Sequence, residues 1–326
     1  MTEKRALRPE TLAVHAGRQG TSAGGPLVDP IFETAPFSFA DPAALARASE
    51  GEPPDAFYTR EGNPSVASVE KKLAALEGCE DAVLFASGMG AISTAFLAHL
   101  KPGDHVVATE DLYGGTLRLF KDVLAPIGVE TTLVPTAPRP AFEEAIKPST
   151  RWLYVETPTN PLVKIVDLEY VGGIARRRGL SAVVDGTFAS PVLQHPLALG
   201  FDLVLHSATK YLNGHADVTA GLAAGSKAML APIRERRIRT GAILDPLPAF
   251  LLNRGMKTLV LRIERQSENA LQLAQELQHA SVDRVHYPGL PGHAGHDAAR
   301  RQMKAFGAML AFDLKGGLDA ARTFLS

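Results

Sequence analysis

From residue 56 onward the chain alternates short apolar runs with stretches of helical period. DAVLF, DHVVATE, RWLYVE, LSAVVDG, FDLVLHS and TAGLAAG hold short apolar runs, and VETTLVPT adds a more polar strand candidate. Runs of that kind suit strands covered on both faces rather than on one. Between them, ASGMGAISTAFLAHL, GGTLRLFKDVLAPIG and LEYVGGIARRRG carry helical patterns. The alternation predicts an α/β domain over residues 56–250, with a mainly parallel sheet and helices on both faces. Residues 1–55, rich in Gly, Pro and Ala around TSAGGPLVDP, predict an N-terminal arm that contributes to oligomer contacts. Past residue 250 the segment LLNRGMKTLVLRIERQSENALQLAQELQHA predicts one long helix. Two strands, VDRVHYPGL and AMLAFDLKGG, follow it in a smaller α+β domain over residues 251–326.

Composition narrows the function classes. The 326 residues are 45% hydrophobic and 21% charged, with a formal net charge of -1. Such a balance suits a soluble globular protein and gives no support to nucleic-acid binding. The basic cluster IRERRIRT, Ile233 to Thr240, is read as a mostly solvated or subunit-facing helix surface. Cys79 is the only cysteine, which excludes an intrachain disulfide and a cysteine-built metal site. Its place in LEGCEDAVLF suits filling space beside a strand. The first residues hold no apolar signal core and no run suits a membrane span, so the expected location is cytoplasmic.

Candidate chemistry gathers at strand ends, where open α/β sheets bind ligands. DAVLF leads into ASGMG at a helix start, where the N–H groups of Gly88 and Met89 can approach an anion. RWLYV ends in Glu156 with Asn160 close behind, and SAVV ends in Asp185 with Thr187 next. FDLVL ends in His206, then Ser207, Thr209 and Lys210. A lysine at the end of a buried strand is costly unless something pairs or reacts with it. Pyridoxal phosphate uses a lysine for a Schiff base, an acid for its pyridine nitrogen and donors for its phosphate. Tyr113, after another strand end, supplies a ring to stack on it.

Two rivals use the same letters. Ser207-Ala-Thr-Lys210 spells the S-x-x-K of penicillin-binding proteins. That reading needs S-D-N and K-T-G triplets, where this chain has SEN inside a helical pattern and KTL. A zinc site from His206, His215, His293 and His296 lacks the H-E-x-x-H spacing, so these read as loop histidines, with no metal expected.

The motifs YTREGNPS, ASGMGAI, DLYGGT, ETPTNP, VVDGTFASP, HSATKYLNGHADVTAG and NRGMKTL occur in one order along nearly the whole chain. In this the sequence resembles the cysteine/methionine-metabolism family of pyridoxal-phosphate enzymes. That family includes cystathionine γ-synthase, cystathionine γ-lyase, methionine γ-lyase and O-acetylhomoserine sulfhydrylase. The resemblance implies a fold of the aspartate-aminotransferase type, with Lys210 holding the cofactor as a Schiff base and Asp185 facing the pyridine nitrogen. Tyr113 is implied as ring stacker and acid/base, and Gly88, Met89, Ser207 and Thr209 as phosphate holders, with Glu156, Asn160 and Thr187 also lining the cofactor. Tyr58 and Arg60 are implied to reach a neighbouring subunit's phosphate, which makes a homodimer the minimum and a tetramer the habit. Tyr58 also counts toward the substrate, and Arg118 matches an arginine that cystathionine-handling members direct at the distal end of theirs.

An amino-acid substrate undergoing γ-elimination or γ-replacement, cystathionine or an O-acyl-homoserine, is therefore the expectation. Methionine γ-lyase or sulfhydrylase activity is the alternative. The chain departs from the family pattern at Gly186, where asparagine is usual, and ends at DAARTFLS, where members continue into a carboxylate-binding arginine. The C-terminal domain is on this reading incomplete, and a cofactor-binding protein without full catalysis is the further alternative.

Overall fold

The seven strand candidates form one sheet. The computed structural model describes residues 7–18, 26–49 and 58–326. In chain order its strands are β1 (Asp81–Phe85), β2 (His105–Thr109), β3 (Glu130–Val134), β4 (Thr150–Glu156), β5 (Ser181–Asp185), β6 (Leu203–His206) and β7 (Gly221–Gly225). Their order in the sheet is β1-β7-β6-β5-β4-β2-β3. β2 pairs in parallel with β3 and β4, and β4 with β5, whereas β1 and β7 are antiparallel. The α/β class follows, with a mixed and mostly parallel sheet. Every residue of β2, β6 and β7 is buried, as the continuous apolar runs require. β8 (Val282–His286) and β9 (Ala311–Leu314) form a separate antiparallel pair.

The chain divides into two compact units, residues 1–99 with 205–260 and residues 100–204 with 261–326. In the first, the helix Pro64–Glu77 starts at Asn63, whose side chain accepts from the Ser65 N–H at 2.9 Å. It stops at Gly78, whose φ of +69° a side chain would resist. The described part of residues 1–55 is more ordered than an extended arm. Helices run over Pro9–His15 and Pro42–Ser49, Ala13 is buried, and the Lys72 ammonium donates to the Ala13 carbonyl at 2.8 Å. The centre of the expected loop, residues 21–25, lies outside the described residues.

The basic cluster keeps its reading as a mostly solvated surface at Glu235, Arg236, Arg239 and Thr240, and departs from it at Arg234 and Arg237. The helix Lys227–Thr240 turns Arg237 inward to 3% exposure. Arg237 Nη1 donates to Glu70 Oε1 at 2.9 Å and to the Leu84 carbonyl at 2.8 Å. Arg234 reaches Glu70 Oε2 and Asp81 Oδ2, each at 2.9 Å, and the Ala82 carbonyl at 3.0 Å. Glu70 Oε1 also accepts from the Leu84 N–H at 2.9 Å. Burial pulls Arg237 below the usual guanidinium range in spite of Glu70. Charge pairing inside the unit, invisible to helical periodicity, overrides the surface reading at these two arginines. Cys79 sits as expected beside β1, its Sγ 3.1 Å from the Asp81 carbonyl, and burial pushes its thiol up to about 11.

The predicted single long helix is two, Pro246–Met256 and Leu259–Glu276. At the break the Gly255 carbonyl is taken by both the N–H and the hydroxyl of Thr258, at 3.3 and 3.2 Å. Gly255 also lies so close to Asn213 that an added Cβ would stand 2.3 Å from its carbonyl oxygen. In the second unit the helix Leu168–Arg178 is capped by Asp167, which accepts from the Tyr170 N–H at 3.2 Å, and ended by Gly179 at φ +64°. Its Val171, Ile174 and Ala175 join Val107, Leu153, Val155 and Val184 in the core. The helix Gly114–Leu119 continues as a π turn over Phe120–Leu124 rather than as the regular helix its pattern predicts. Among the described residues no helix is long and apolar enough to cross a membrane.

Candidate active site

In the first unit the sequence ASGMG places a cradle. Ser87 precedes the helix Gly88–His99, its hydroxyl accepting from the Gly90 N–H at 3.0 Å and its carbonyl from the Ala91 N–H at 3.1 Å. The N–H groups of Gly88 and Met89 are left without a hydrogen-bond partner among the described residues. They head a helix of 12 residues, whose N-terminus favours an anion. Gly88 is pressed against Ser207: an added Cβ would stand 2.8 Å from the Ser207 Cβ and 3.0 Å from its Oγ. The close approach explains why glycine occupies this position. Met89, Gly88 and Ser207 are thus brought together.

Beyond β6 the chain turns outward. The Lys210 N–H donates to the Ser207 carbonyl at 3.1 Å and the Gly214 N–H to the Lys210 carbonyl at 2.7 Å. Lys210 is exposed on this turn and makes no ion pair among the described residues. The cost of burying its charge, which the apolar run suggested, therefore does not arise. The four-residue step past His206 carries it out of the strand. The Thr209 hydroxyl donates to the Ala220 carbonyl at 3.2 Å and accepts from the Ala220 N–H at 3.0 Å. Its proton is committed to that bond, so Thr209 fixes the turn. His206 is no loop histidine: it is buried on β6, Nε2 2.7 Å from Glu77 Oε1. Tyr58 and Arg60 lie together in a cleft of the same unit. The Arg60 guanidinium lies 5.0 Å over the Tyr58 ring, in a cleft of about 410 Å³ that Glu33, Ile243 and Asp245 also line.

In the second unit β4 and β5 end side by side, with Glu156 and Asp185 as register partners. Both are buried, at 6% and 5% exposure. Glu156 Oε2 accepts from the Tyr113 N–H at 2.7 Å and Oε1 from the Asn160 N–H at 3.0 Å. Burial, with the Asp185 charge behind it, pushes the Glu156 carboxyl up to about 8, and the two N–H bonds pull it back. Asp185 Oδ1 accepts from both the N–H and the hydroxyl of Thr187, at 3.0 and 2.5 Å. The Gly186 carbonyl accepts from the Ala189 and Ser190 N–H groups at 3.1 and 3.0 Å. Tyr113 caps the helix Gly114–Leu119 with its side chain half exposed. Arg118, on the same helix, is exposed and makes no hydrogen bond or ion pair among the described residues. Glu156 as a clamp on two main-chain segments is a feature that sequence reasoning missed. Its one outward sign was a carboxylate ending an apolar strand.

Open amide donors at a helix start, an exposed lysine on a fixed turn and a buried strand-end aspartate suit a phosphate, an aldehyde and a pyridine nitrogen. That chemistry is the province of pyridoxal-phosphate enzymes. The chain belongs to the family described as Cys/Met metabolism PLP-dependent enzyme, which residues 10–326 match. It is 45% identical to the L-methionine gamma-lyase of Fusobacterium nucleatum subsp. polymorphum, over 97% of this chain and 81% of that protein. It is 41% identical to a probable cystathionine gamma-synthase of Herpetosiphon aurantiacus, over 97% of each. The crystal structure of metB from Corynebacterium glutamicum superposes with a TM-score of 0.91 at 40% identity, covering 98% of this chain and 81% of that one. The chain is accordingly a pyridoxal-phosphate-dependent enzyme of sulfur amino-acid metabolism, of a family acting on amino-acid substrates.

Proposed function

We propose that the chain catalyses γ-elimination or γ-replacement on cystathionine or an O-acyl-homoserine. It would act in the cytoplasm as a homo-oligomer of at least two subunits, tetrameric by family habit. Residues 56–250 form the cofactor domain on this reading and residues 251–326 the smaller one. Arg118 is the observation that carries the choice of substrate: it is exposed, cationic and unspent, five residues past Tyr113. An unpaired guanidinium suits a substrate whose far end carries a carboxylate, which methionine lacks. Methionine γ-lyase or sulfhydrylase activity is the second reading, favoured by the 45% identity to a protein of the former name.

When bound, pyridoxal phosphate supplies the electron sink that acidifies the substrate's Cα–H. The rest falls to the chain. Lys210 would hold the cofactor through its amine and would move protons at the substrate's Cα and Cβ. Asp185, which accepts from Thr187, would supply the negative charge for the pyridine nitrogen. Tyr113 would stack on the ring and serve as acid/base. The Gly88 and Met89 N–H groups and Ser207 would hold the phosphate, and Thr209 fixes the turn that carries Lys210. Asn160 and Glu156 fix the loop edges, and Tyr58 and Arg60 reach toward a neighbouring subunit's cofactor.

The test is an absorption spectrum of the purified chain with pyridoxal phosphate beside Lys210→Ala, followed by turnover of cystathionine and methionine. A visible band of the lysine-linked cofactor in the wild type alone supports the reading. A band that survives in the variant overturns the role of Lys210. Methionine turnover above that of cystathionine overturns the choice of substrate.

A further inference from the structure

We infer that Glu156 is a positioning residue whose grip on the Tyr113 turn tightens when the charge on neighbouring Asp185 is neutralised, so that cofactor loading expels a proton from this carboxyl pair. The inference rests on the reading of Asp185 given above. Its geometry lies wholly at the ends of β4 and β5. Register partners in adjacent strands stand about 4.8 Å apart and project to the same face. Glu156 and Asp185 are such partners, and both are buried. Each Glu156 oxygen accepts a main-chain N–H, one from Tyr113 and one from Asn160. Those two donors favour the ionised carboxylate, which accepts strongly through both oxygens.

The surrounding charges oppose ionisation. Asp185 faces Glu156 across the ladder, Asp111 lies nearby, and the buried Tyr154 phenol is on the same strand. Lys164, the nearby cation, is spent on Asp111 at 2.7 Å. Burial and the Asp185 charge hold the Glu156 carboxyl up to about 8. Two buried carboxyls that face each other across one ladder hold a proton more readily than either would alone, and a proton on Glu156 weakens one of its two N–H bonds. A cationic ring nitrogen beside Asp185 cancels the repulsion. Glu156 then releases its proton to solvent, and the carboxylate accepts fully from both the Tyr113 and Asn160 amides. By linkage, proton release from Glu156 makes cofactor affinity rise more steeply with pH than it would without this carboxyl, whatever proton the ring nitrogen itself takes up.

Equilibrium dialysis of pyridoxal phosphate against the apo wild type and Glu156→Gln tests this between about pH 6 and pH 8. The isosteric amide cannot ionise and can accept from only one of the two N–H groups. We expect the wild-type dissociation constant to fall more steeply with pH than that of the variant, by up to about tenfold per pH unit. Equal slopes overturn the inference. Infrared difference spectra of the wild type provide a check that needs no folded variant: a protonated-carboxyl band at neutral pH that disappears on loading. A band that persists in the loaded protein overturns it as well. A wild type that takes up no cofactor at all would instead overturn the reading of the site.

Discussion

Replacing Glu70 by glutamine removes one negative charge from the first unit while keeping shape and one acceptor. In the native chain that carboxylate takes Arg237 on one oxygen and Arg234 on the other, each at 2.9 Å. Arg234 keeps Asp81, at 2.9 Å. Arg237, only 3% exposed, loses its one ion pair among the described residues and keeps the Leu84 carbonyl, with the Asp81 charge acting from further off. Stranding a buried charge in this way costs about 3–5 kcal/mol, more than a surface pair of the same geometry would contribute. Urea unfolding followed by circular dichroism at fixed protein concentration should show the midpoint fall with an unchanged slope. The double variant Glu70→Met with Arg237→Met removes both charges and should recover most of the loss, since the desolvation cost leaves with them. A glutamine variant within about 1 kcal/mol of wild type would refute the reasoning.

Arg118→Ala should raise KM for cystathionine by about 10- to 100-fold, the loss of one charged hydrogen bond, with kcat little changed. Steady-state kinetics with an unmoved KM would remove Arg118 from the substrate site. Lys72 gives a pH dependence of unusual sign. Burial, followed by the Lys257 charge, lowers its amine to about 8, against about 10.4 in the unfolded chain. The folded state thus holds fewer protons between these values, and stability rises with pH across that window. The penalty is fully present below about pH 8. Melting curves of wild type and Lys72→Met should converge from about pH 8 toward pH 10.4, and parallel curves would contradict the assignment.

Most of the sheet was legible because most of its strands are local apolar runs. DAVLF and SAVVD became β1 and β5 with their ends where the pattern put them. Glu156 and Asp185 were legible for the same reason, as polar residues ending such runs. What stayed hidden depends on distant partners. Glu70 and Arg237 are separated by 167 positions, and nothing in IRERRIRT says that two of its arginines face inward. The helix break at Thr258 hangs on a hydroxyl claiming the Gly255 carbonyl. Lys210 looked buried because the run before it is, and only the turn after His206 shows it exposed. The Glu156 clamp joins segments 43 residues apart, so the sequence offered the carboxylate without its donors.

The Arg-Glu network has a consequence outside the energetics of the single chain. β1 stands at the margin of the sheet, with β7 on its one paired side. The groups that Glu70, Arg234 and Arg237 engage are the Leu84 N–H, the Leu84 carbonyl and the Ala82 carbonyl, the hydrogen-bonding row facing away from β7. An open row of that kind is a template on which a strand of another molecule can add. Here side chains from two helices occupy it, so the margin is closed to other chains without a further strand. The double methionine variant that regains stability would leave the Leu84 N–H and carbonyl bare, with Arg234 still covering the Ala82 carbonyl. Its folding would be restored while its tendency to associate edge to edge rose, and stability and solubility would part company.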